Sequence, residues 1–305
     1  MKNLSALQQN LTEKGYAFVD GVPPQSIIDT VITGFRSLIE EAEKDENFLK
    51  KWSFDLSKTS NEGVDDGLIR RSGGIHDKKY FFHYRPRLLK LLEWSEVDTT
   101  DYKEFLKACD VLYKHSLGLA CSVAEKIMVP VNDNETQPLS YFISTEASKN
   151  QHTLRLLDYD VKNSVEEFLA QPHADRDTLT FPIADSHPGL VLLTRDGSQF
   201  LYNQKGYPGQ TLVFGGKKLF TRMGGNIIYE KIGFQSDLQA VPSVFKYIEK
   251  FEGGQITPTP HWVRLPDGMI GVKRWSIVFF AHDATAQVPE KPGTIYFPEL
   301  DKKVA

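Results

Sequence analysis

Residues 173–180 read His173-Ala174-Asp175-Arg176-Asp177-Thr178-Leu179-Thr180, and the fold is best recognised from this segment. In extended backbone, residues i and i+2 point to the same face, so the imidazole of His173 and the carboxylate of Asp175 converge there. A neutral imidazole and a carboxylate suit a divalent first-row metal. A His-x-Asp tripeptide is weak evidence by itself, because a surface pair at a strand end has the same sequence. The prediction of a metal site therefore depends on what accompanies the tripeptide.

The second candidate ligand is His261, within Thr257-Pro258-Thr259-Pro260-His261-Trp262-Val263. The prolines favour extended backbone and stop helix formation. Two histidines and one carboxylate on one face would leave three positions of an octahedral metal ion open. A structural zinc site would usually close all four of its positions, often with cysteine. The two cysteines of this chain, Cys109 and Cys121, lie elsewhere.

A third pattern follows at residues 274–280, which read RWSIVFF. Strand alternation sets Arg274 and Ser276 on one face. An arginine on such an apolar strand is expensive to bury unless something pairs with it. A planar guanidinium beside a hydroxyl suits a carboxylate, which it can hold in a bidentate grip. The carboxylate could belong to a bound ligand or to an internal Asp or Glu, and the residues alone leave both open.

From residue 153 onward the chain is predicted to form a series of short strands. Apolar and β-branched runs alternate there with Gly, Pro, Asp and Asn, which punctuate strands. Many short strands at close intervals are typical of a sandwich, barrel or jelly roll. The predicted strands cover residues 153–159, 178–183, 189–194, 199–202, 211–214, 226–229 and 274–281.

The first 130 residues are predicted to be mostly helical. Apolar residues recur at helical spacing over 27–43 and over 105–127, and Pro130 follows the second of these runs. The polar, glycine-bearing segment 57–74 predicts a loop. One more helix is predicted over 241–251, between the pairs Gly224-Gly225 and Gly253-Gly254.

Composition limits the class of protein. The 305 residues carry a formal net charge of −4, which argues against a general nucleic-acid binder or a binder of acidic membranes. No apolar run approaches the ~20 residues needed to span a bilayer, and the polar N-terminus lacks a signal-peptide core. Cys109 and Cys121 would lie too far apart on one helix to form a disulfide. We therefore expect a cytoplasmic protein with reduced thiols.

Together these motifs resemble the isopenicillin N synthase-like branch of the iron(II)/2-oxoglutarate-dependent dioxygenases. The resemblance implies an α+β fold, in which a double-stranded β-helix (jelly-roll) core carries a helical N-terminal part. One oxygenase domain would cover residues 1–305, with the helical part at 1–150, the core at 151–290 and a helical insertion at 224–253. The segments that carry the resemblance are 77–81, 154–159, 173–180, 188–191, 208–214, 261–263 and 274–276.

The resemblance also implies roles for individual residues. The iron(II) ligands would be His173, Asp175 and His261. Arg274 and Ser276 would hold the distal carboxylate of 2-oxoglutarate, with Tyr159 as a third contact. With dioxygen, such a site oxidises an unactivated C–H bond of a small-molecule substrate, which the sequence does not identify. The oligomeric state is not predicted either.

Two alternatives stay open at this point. An iron oxidase of the same fold would not use 2-oxoglutarate, and Arg274 and Ser276 would then bind a carboxylate of the substrate. An inactive jelly-roll binding protein would have lost catalysis, although all three ligand positions are intact. Two further histidines, His187 and His282, are predicted to face solvent, and Arg155 to contact either substrate or an acidic partner.

Overall fold

The computed structural model describes residues 4–54, 66–71, 79–95, 97–159, 168–232, 246–264, 273–290 and 294–296. Eight α-helices lie in this part of the chain. They are α1 (Ala6–Glu13), α2 (Gln25–Lys44), α3 (Glu46–Trp52), α4 (Arg87–Trp94), α5 (Lys103–Ala124), α6 (Ser140–Ile143), α7 (Glu146–Lys149) and α8 (Lys217–Arg222). None of these helices combines the length and apolar character that a membrane span requires.

The strands form four sheets in the described residues. The strands of the N-terminal half are β1 (Tyr16–Asp20), β2 (Ser53–Phe54), β3 (Asp66–Arg71), β4 (Lys79–Tyr84), β5 (Met128–Asn132) and β6 (Glu135–Pro138). Those of the C-terminal half are β7 (Thr153–Tyr159), β8 (Phe168–His173), β9 (Leu179–Asp185), β10 (Leu190–Leu193), β11 (Gln199–Leu201), β12 (Gln210–Gly215), β13 (Asn226–Ile232), β14 (Lys246–Glu252), β15 (His261–Arg264), β16 (Arg274–Ala281) and β17 (Thr294–Tyr296).

Two antiparallel sheets make the core of the fold. The larger sheet has the order β1-β12-β9-β16-β7-β4-β3-β2, and the smaller has the order β11-β10-β15-β8. From β7 to β10 the strands alternate between the larger and the smaller sheet, and β15 and β16 do so again, as strands do in a jelly roll. The apolar side chains between the sheets form one buried cluster, which includes Phe81, Leu157, Leu192, Phe214 and Val263. This enclosed space is where the candidate site residues project.

The outer face of the larger sheet is covered by helices. α2 and α5 pack against each other and bury apolar stripes that include Phe35 and Leu112, and Phe279 of β16 meets them from the sheet. Apolar residues at helical spacing on α2 and α5 therefore pack against apolar residues at alternate positions of β16, and together they form one core. The predicted helices over 27–43 and 105–127 are confirmed, with ends at Gln25–Lys44 and Lys103–Ala124.

The N-terminal part contributes more strands than the sequence predicts. β1, β3 and β4 all join the larger sheet, so the helical layer and the barrel are interleaved along the chain. The loop predicted over 57–74 is wrong for Asp66–Arg71, which pairs with β4 from Gly67↔His83 to Arg71↔Lys79. Residues 57–65 and 72–74 lie outside the described part. Pairing with β4 outweighs the local polarity of this segment, because a strand needs only one apolar face.

The predicted helical insertion at 224–253 is also wrong in the part that the structure describes. β13 and β14 form an antiparallel hairpin from Asn226↔Glu252 to Ile232↔Lys246, and β17 pairs in parallel with β14. Residues 241–245 lie outside the described part. The glycine pairs stand at the base of this hairpin, where a Cβ at Gly225 or Gly254 would come within 2.3 Å or 2.6 Å of the Phe220 ring. The insertion is therefore a small β-sheet whose base packs closely against Phe220 of α8.

Candidate metal and cosubstrate site

His173 and His261 meet because they are register partners. His173 ends β8 and His261 begins β15, and the two residues pair across these antiparallel strands. Their ring centroids lie 4.4 Å apart. Residues that face each other in a ladder project to the same side of the sheet, so both imidazoles point into the space between the two sheets.

The backbone fixes the tautomer of each imidazole. Nδ1 of His173 lies 2.6 Å from the carbonyl oxygen of Gln171, and Nδ1 of His261 lies 3.0 Å from the carbonyl oxygen of Thr259. A carbonyl oxygen can only accept, so each Nδ1 carries the proton and donates it. Each Nε2 is left with a free lone pair, which is the state a metal-ligating histidine needs.

Asp175 completes the candidate ligand set. Its Oδ1 lies 3.5 Å from Nε2 of His173, and its Oδ2 lies 3.4 Å from Nε2 of His261. The three ligand atoms all lie within 4.8 Å of one another, and no second group of this kind occurs among the described residues. These separations match one metal ion bound by all three side chains. Their role as ligands stays a prediction, since ligand distances of this kind also occur without an ion.

Electrostatics favour the protonation states that a divalent cation requires. Burial would raise the pKa of Asp175, but the electrostatic effect of the nearby His261 and His173 and the hydrogen bond from Thr180 outweigh it, and its pKa lies below the ordinary value. Burial lowers the pKa of His261 to about 4, although Asp175 opposes the shift. At neutral pH the site therefore presents a carboxylate beside a neutral imidazole, the donor set that suits a first-row metal.

A hydroxyl holds Asp175 from behind. The Oγ1 of Thr180 lies 2.7 Å from Oδ2 of Asp175 and 2.8 Å from Oδ2 of Asp177. A hydroxyl has one proton, so the pattern is satisfied if Thr180 donates to Asp175 and a protonated Asp177 donates to Thr180. Burial and the charge of Asp175 raise the pKa of Asp177 well above its usual value, in agreement with this arrangement. The support that Thr180 and Asp177 give to Asp175 was not predicted from the sequence.

The candidate cosubstrate contacts lie on one face of two adjacent strands. Arg274 of β16 pairs in register with Tyr159 of β7, and the guanidinium carbon lies 5.1 Å from the centroid of the Tyr159 ring. Arg274 is only 2% exposed, Tyr159 4% and Ser276 7%. The sequence prediction that Arg274 and Ser276 share a face of β16 therefore agrees with the register, and the role of all three residues toward a cosubstrate stays a prediction.

Arg274 is buried with part of its hydrogen-bonding capacity unused. Its Nε and Nη1 have no hydrogen-bond partner among the described residues. A Cβ at Gly189 would come within 2.9 Å of Nε, so the glycine leaves room for the guanidinium. One internal acid, Asp185, approaches Nη2 at 3.6 Å. Two nitrogens without hydrogen-bond partners in a buried guanidinium are costly, and a bound carboxylate would accept hydrogen bonds from the guanidinium.

Apolar and aromatic side chains line the rest of the interior. The Phe214 ring lies 4.8 Å from that of His261, centroid to centroid. Arg155 donates from Nε to Nε2 of His83 at 2.8 Å and lies over the Phe280 ring. Arg155 thus contacts a histidine and an aromatic ring, and its predicted contact with substrate or with an acidic partner stays a prediction. His173 is the exposed member of the candidate ligand set, with 47% of its side chain accessible.

His282 was predicted to face solvent, and this prediction is wrong. His282 is not solvent-facing: its Nδ1 is buried, and burial lowers its pKa well below the usual value. The backbone N–H of His282 donates to Nδ1 of His152 at 3.0 Å. His187 is half-buried, with its Nδ1 3.0 Å from the hydroxyl of Ser186. Both stay outside the candidate ligand set.

Comparison with solved structures finds the same fold at low sequence identity. A provisionally assigned oxygenase from Shewanella oneidensis matches with a TM-score of 0.59 and 19% identity over 91% of this chain and 85% of its own. A provisionally assigned 2OG-Fe(II) oxygenase family protein from Caulobacter crescentus has a TM-score of 0.55 and 17% identity over 98% and 92%. The dioxygenase for auxin oxidation 1 of Arabidopsis thaliana, solved as its 2-oxoglutarate complex, has a TM-score of 0.56 and 15% identity over 94% and 90%.

At the level of sequence alone there is no comparable match. No protein-family model matches this chain, and neither does any curated protein sequence. The likeness of this chain to known proteins is therefore structural, and it concerns the architecture. The predicted α+β fold with a jelly-roll core is confirmed: this chain has the fold of the iron(II)/2-oxoglutarate oxygenases.

Proposed function

We propose that this protein is a non-haem iron(II), 2-oxoglutarate-dependent dioxygenase that oxidises, most simply by hydroxylation, a C–H bond of a small molecule. The observation that carries the proposal is the pairing of two features in one barrel interior. A three-residue donor set with ligand atoms within 4.8 Å of one another lies in the same barrel as a buried arginine with two unpaired nitrogens. A metal and a dicarboxylic cosubstrate would satisfy both.

The donor set fits iron(II) by its chemistry. Two neutral imidazoles and one carboxylate bind from a single side and leave three positions of an octahedral ion open. The hydrogen bonds that Nδ1 of His173 and of His261 donate to backbone carbonyls hold each ring in place. Thr180 holds Asp175 in the same way. When bound, iron(II) would supply the activation of dioxygen, and the protein would supply the position of the groups around it.

The arginine end fits the distal carboxylate of 2-oxoglutarate. Nε and Nη1 of Arg274 have no hydrogen-bond partner among the described residues, so the guanidinium keeps donors free for a carboxylate, which an arginine can hold with two hydrogen bonds. The hydroxyl of Ser276 lies on the same face of β16, and Tyr159 borders the guanidinium. We assign these residues the task of binding and orienting the cosubstrate.

The interior wall suits an apolar part of a substrate. Phe214 lies against His261, and buried aromatic and aliphatic side chains continue from it between the sheets. Such a wall excludes water from the reacting centre and holds the C–H bond in place. The exposed side of His173 marks the direction from which a small molecule would enter.

Anaerobic binding followed by exposure to oxygen tests the proposal. We expect one equivalent of iron(II) per chain, 2-oxoglutarate binding that depends on the metal, and oxygen-dependent formation of succinate. Iron binding without any 2-oxoglutarate binding would instead support an iron oxidase of the same fold. Failure to bind iron would support a jelly-roll binding protein without catalysis.

A further inference from the structure

A β-bulge aims one acidic side chain into the candidate cosubstrate site. β9 pairs with β16 through Ala184↔Ile277 and then Pro182↔Val278, so Ile183 is the extra residue. Ile183 and Ala184 consequently both pack in the outer core. The bulge shifts the alternation by one, and Asp185 opposes Ser276 on the interior face. Bulges commonly re-aim a side chain in this way.

Asp185 lies beside the guanidinium of Arg274, at a distance longer than a hydrogen bond. Its Oδ2 is 3.6 Å from Nη2 of Arg274, and the side chains are 11% and 3% exposed. Nε and Nη1 of Arg274 remain without a hydrogen-bond partner in the described part of the chain. Asp185 therefore partly neutralises the buried guanidinium beside Nη2, and Nε and Nη1 stay available to a ligand.

The surroundings of Asp185 make its charge sensitive to a second anion. Burial raises its pKa to about 6, against the effect of Arg274 and Lys205. Two further titratable groups lie nearby. Burial and the charge of Asp185 raise the pKa of Tyr202, and His187 lies near the same two cations, Arg274 and Lys205. A second carboxylate placed on Arg274 would stand close to Asp185, and like charges at that range oppose each other.

We propose that Asp185 competes with the cosubstrate for Arg274, so that binding of 2-oxoglutarate is accompanied by uptake of one proton from solvent onto Asp185. This inference rests on the proposed function. Asp185 acts here as a positioning residue, because it sets how available the guanidinium is and touches no reacting atom. The free protein keeps its buried arginine partly neutralised, and the bound state replaces the internal acid by the ligand.

The inference gives a specific dependence of affinity on pH. Above pH 6, proton uptake makes the affinity for 2-oxoglutarate fall by up to about tenfold per pH unit. Between pH 6.5 and 8.5 we expect the dissociation constant of the natural protein to rise by about 50- to 100-fold. In Asp185→Asn, which keeps the shape and removes the charge, the constant should change far less and should be lower at pH 8.5.

Isothermal titration calorimetry tests this without any turnover. Anaerobic, iron(II)-loaded protein is titrated with 2-oxoglutarate in buffers of different ionisation enthalpy, which gives the number of protons taken up. We expect close to one proton at pH 7.5 for the natural protein and close to none for Asp185→Asn. Asp29→Asn is the matched control, since Asp29 is an exposed acid on α2, and it should behave as the natural protein does.

The outcomes separate this inference from the proposed function. Equal proton uptake in the natural protein and in Asp185→Asn would overturn the role of Asp185 while leaving 2-oxoglutarate binding intact. Weaker binding by Asp185→Asn at pH 8.5 would also overturn it, because a supporting acid rather than a competing one would explain that result. Absence of 2-oxoglutarate binding in every variant would overturn the proposed function itself.

Discussion

The imidazole of His261 lies 4.4 Å from that of His173, centroid to centroid, because the two residues are register partners in neighbouring antiparallel strands. Strand pairing, rather than a loop, therefore fixes the spacing of two candidate ligands. Asp175 reaches the same point from just beyond β8, and Thr180 of β9 holds it there. A site built on strands is more precisely preorganised than one built on loops.

Loss of a ligand should abolish iron binding and leave the fold intact. We expect His173→Ala to lose more iron(II) affinity than the roughly 10- to 100-fold that follows removal of an outer partner. The side chain is 47% exposed, so its truncation costs little stability. Anaerobic iron titration with thermal unfolding measures both effects. His187→Ala is the control, and equal iron binding in the two variants would remove His173 from the ligand set.

Arg274→Leu should weaken 2-oxoglutarate binding while iron binding is kept. The leucine fills similar space but offers no donor, so the distal carboxylate would be desolvated without a partner. Arg274→Lys should bind with intermediate affinity, because an ammonium cannot form the two-pronged contact. Calorimetry with iron-loaded protein measures both variants. Unchanged affinity in Arg274→Leu would favour an oxidase that does not use 2-oxoglutarate.

The hydroxyl of Thr180 should matter for metal affinity more than for stability. Thr180→Val keeps the shape and removes the donor to Asp175, and we expect iron(II) affinity to fall by roughly 10- to 100-fold. Thr180→Ser keeps the hydroxyl and should stay close to the natural affinity. A valine variant that binds iron normally would show that Asp175 needs no such support.

The inserted sheet is tied to the site by a buried ion pair. Nζ of Lys217 lies 2.6 Å from Oε1 of Glu249, with side chains 6% and 1% exposed, and the backbone N–H of Lys217 donates to the carbonyl of Asp175. Glu249→Leu alone should lower the free energy of unfolding by about 3–5 kcal/mol, because it leaves a buried charge. Adding Lys217→Met should restore most of the loss. Denaturant unfolding measures both, and equal stability of the single and double variants would contradict the pairing.

Acid should destabilise the protein through His152. Burial lowers the pKa of His152 to about 4 from 6.5, so the unfolded chain binds more protons than the native one between these values. The free energy of unfolding should therefore fall as pH drops from 6.5 to 4, by up to about 3 kcal/mol from this residue. In His152→Gln the fall should be smaller, as urea titrations at several pH values would reveal. An unchanged slope would assign the acid sensitivity to other groups, the buried His282 among them.

Local pattern predicted the parts of the fold that depend on alternation. The strands predicted over 153–159 and 274–281 have the same bounds in β7 and β16, because each alternates cleanly between two buried faces. The same reasoning failed at β14. Apolar residues in that stretch are also spaced as in a helix, and only the ladder with β13 and the burial of Glu249 against Lys217 select the strand.

The candidate site, like the fold, was only partly predictable from the sequence. Residue type and spacing predicted that His173 and Asp175 converge, and that Arg274 and Ser276 share a face. They could not predict Asp185, because its inward direction depends on the bulge at Ile183, which exists only in the pairing of β9 with β16. Thr180 and Asp177 were likewise within the quoted motif, but their contact with Asp175 depends on how the chain turns into β9.

Binding of iron(II) by His173, Asp175 and His261 can be measured by diffraction from a crystal soaked anaerobically with iron(II) and 2-oxoglutarate, recorded at the iron absorption edge. We expect one strong anomalous peak within bonding distance of His173, Asp175 and His261, with the cosubstrate reaching from the metal to Arg274. Absence of a peak at these three side chains, or a metal bound elsewhere in the chain, would contradict it.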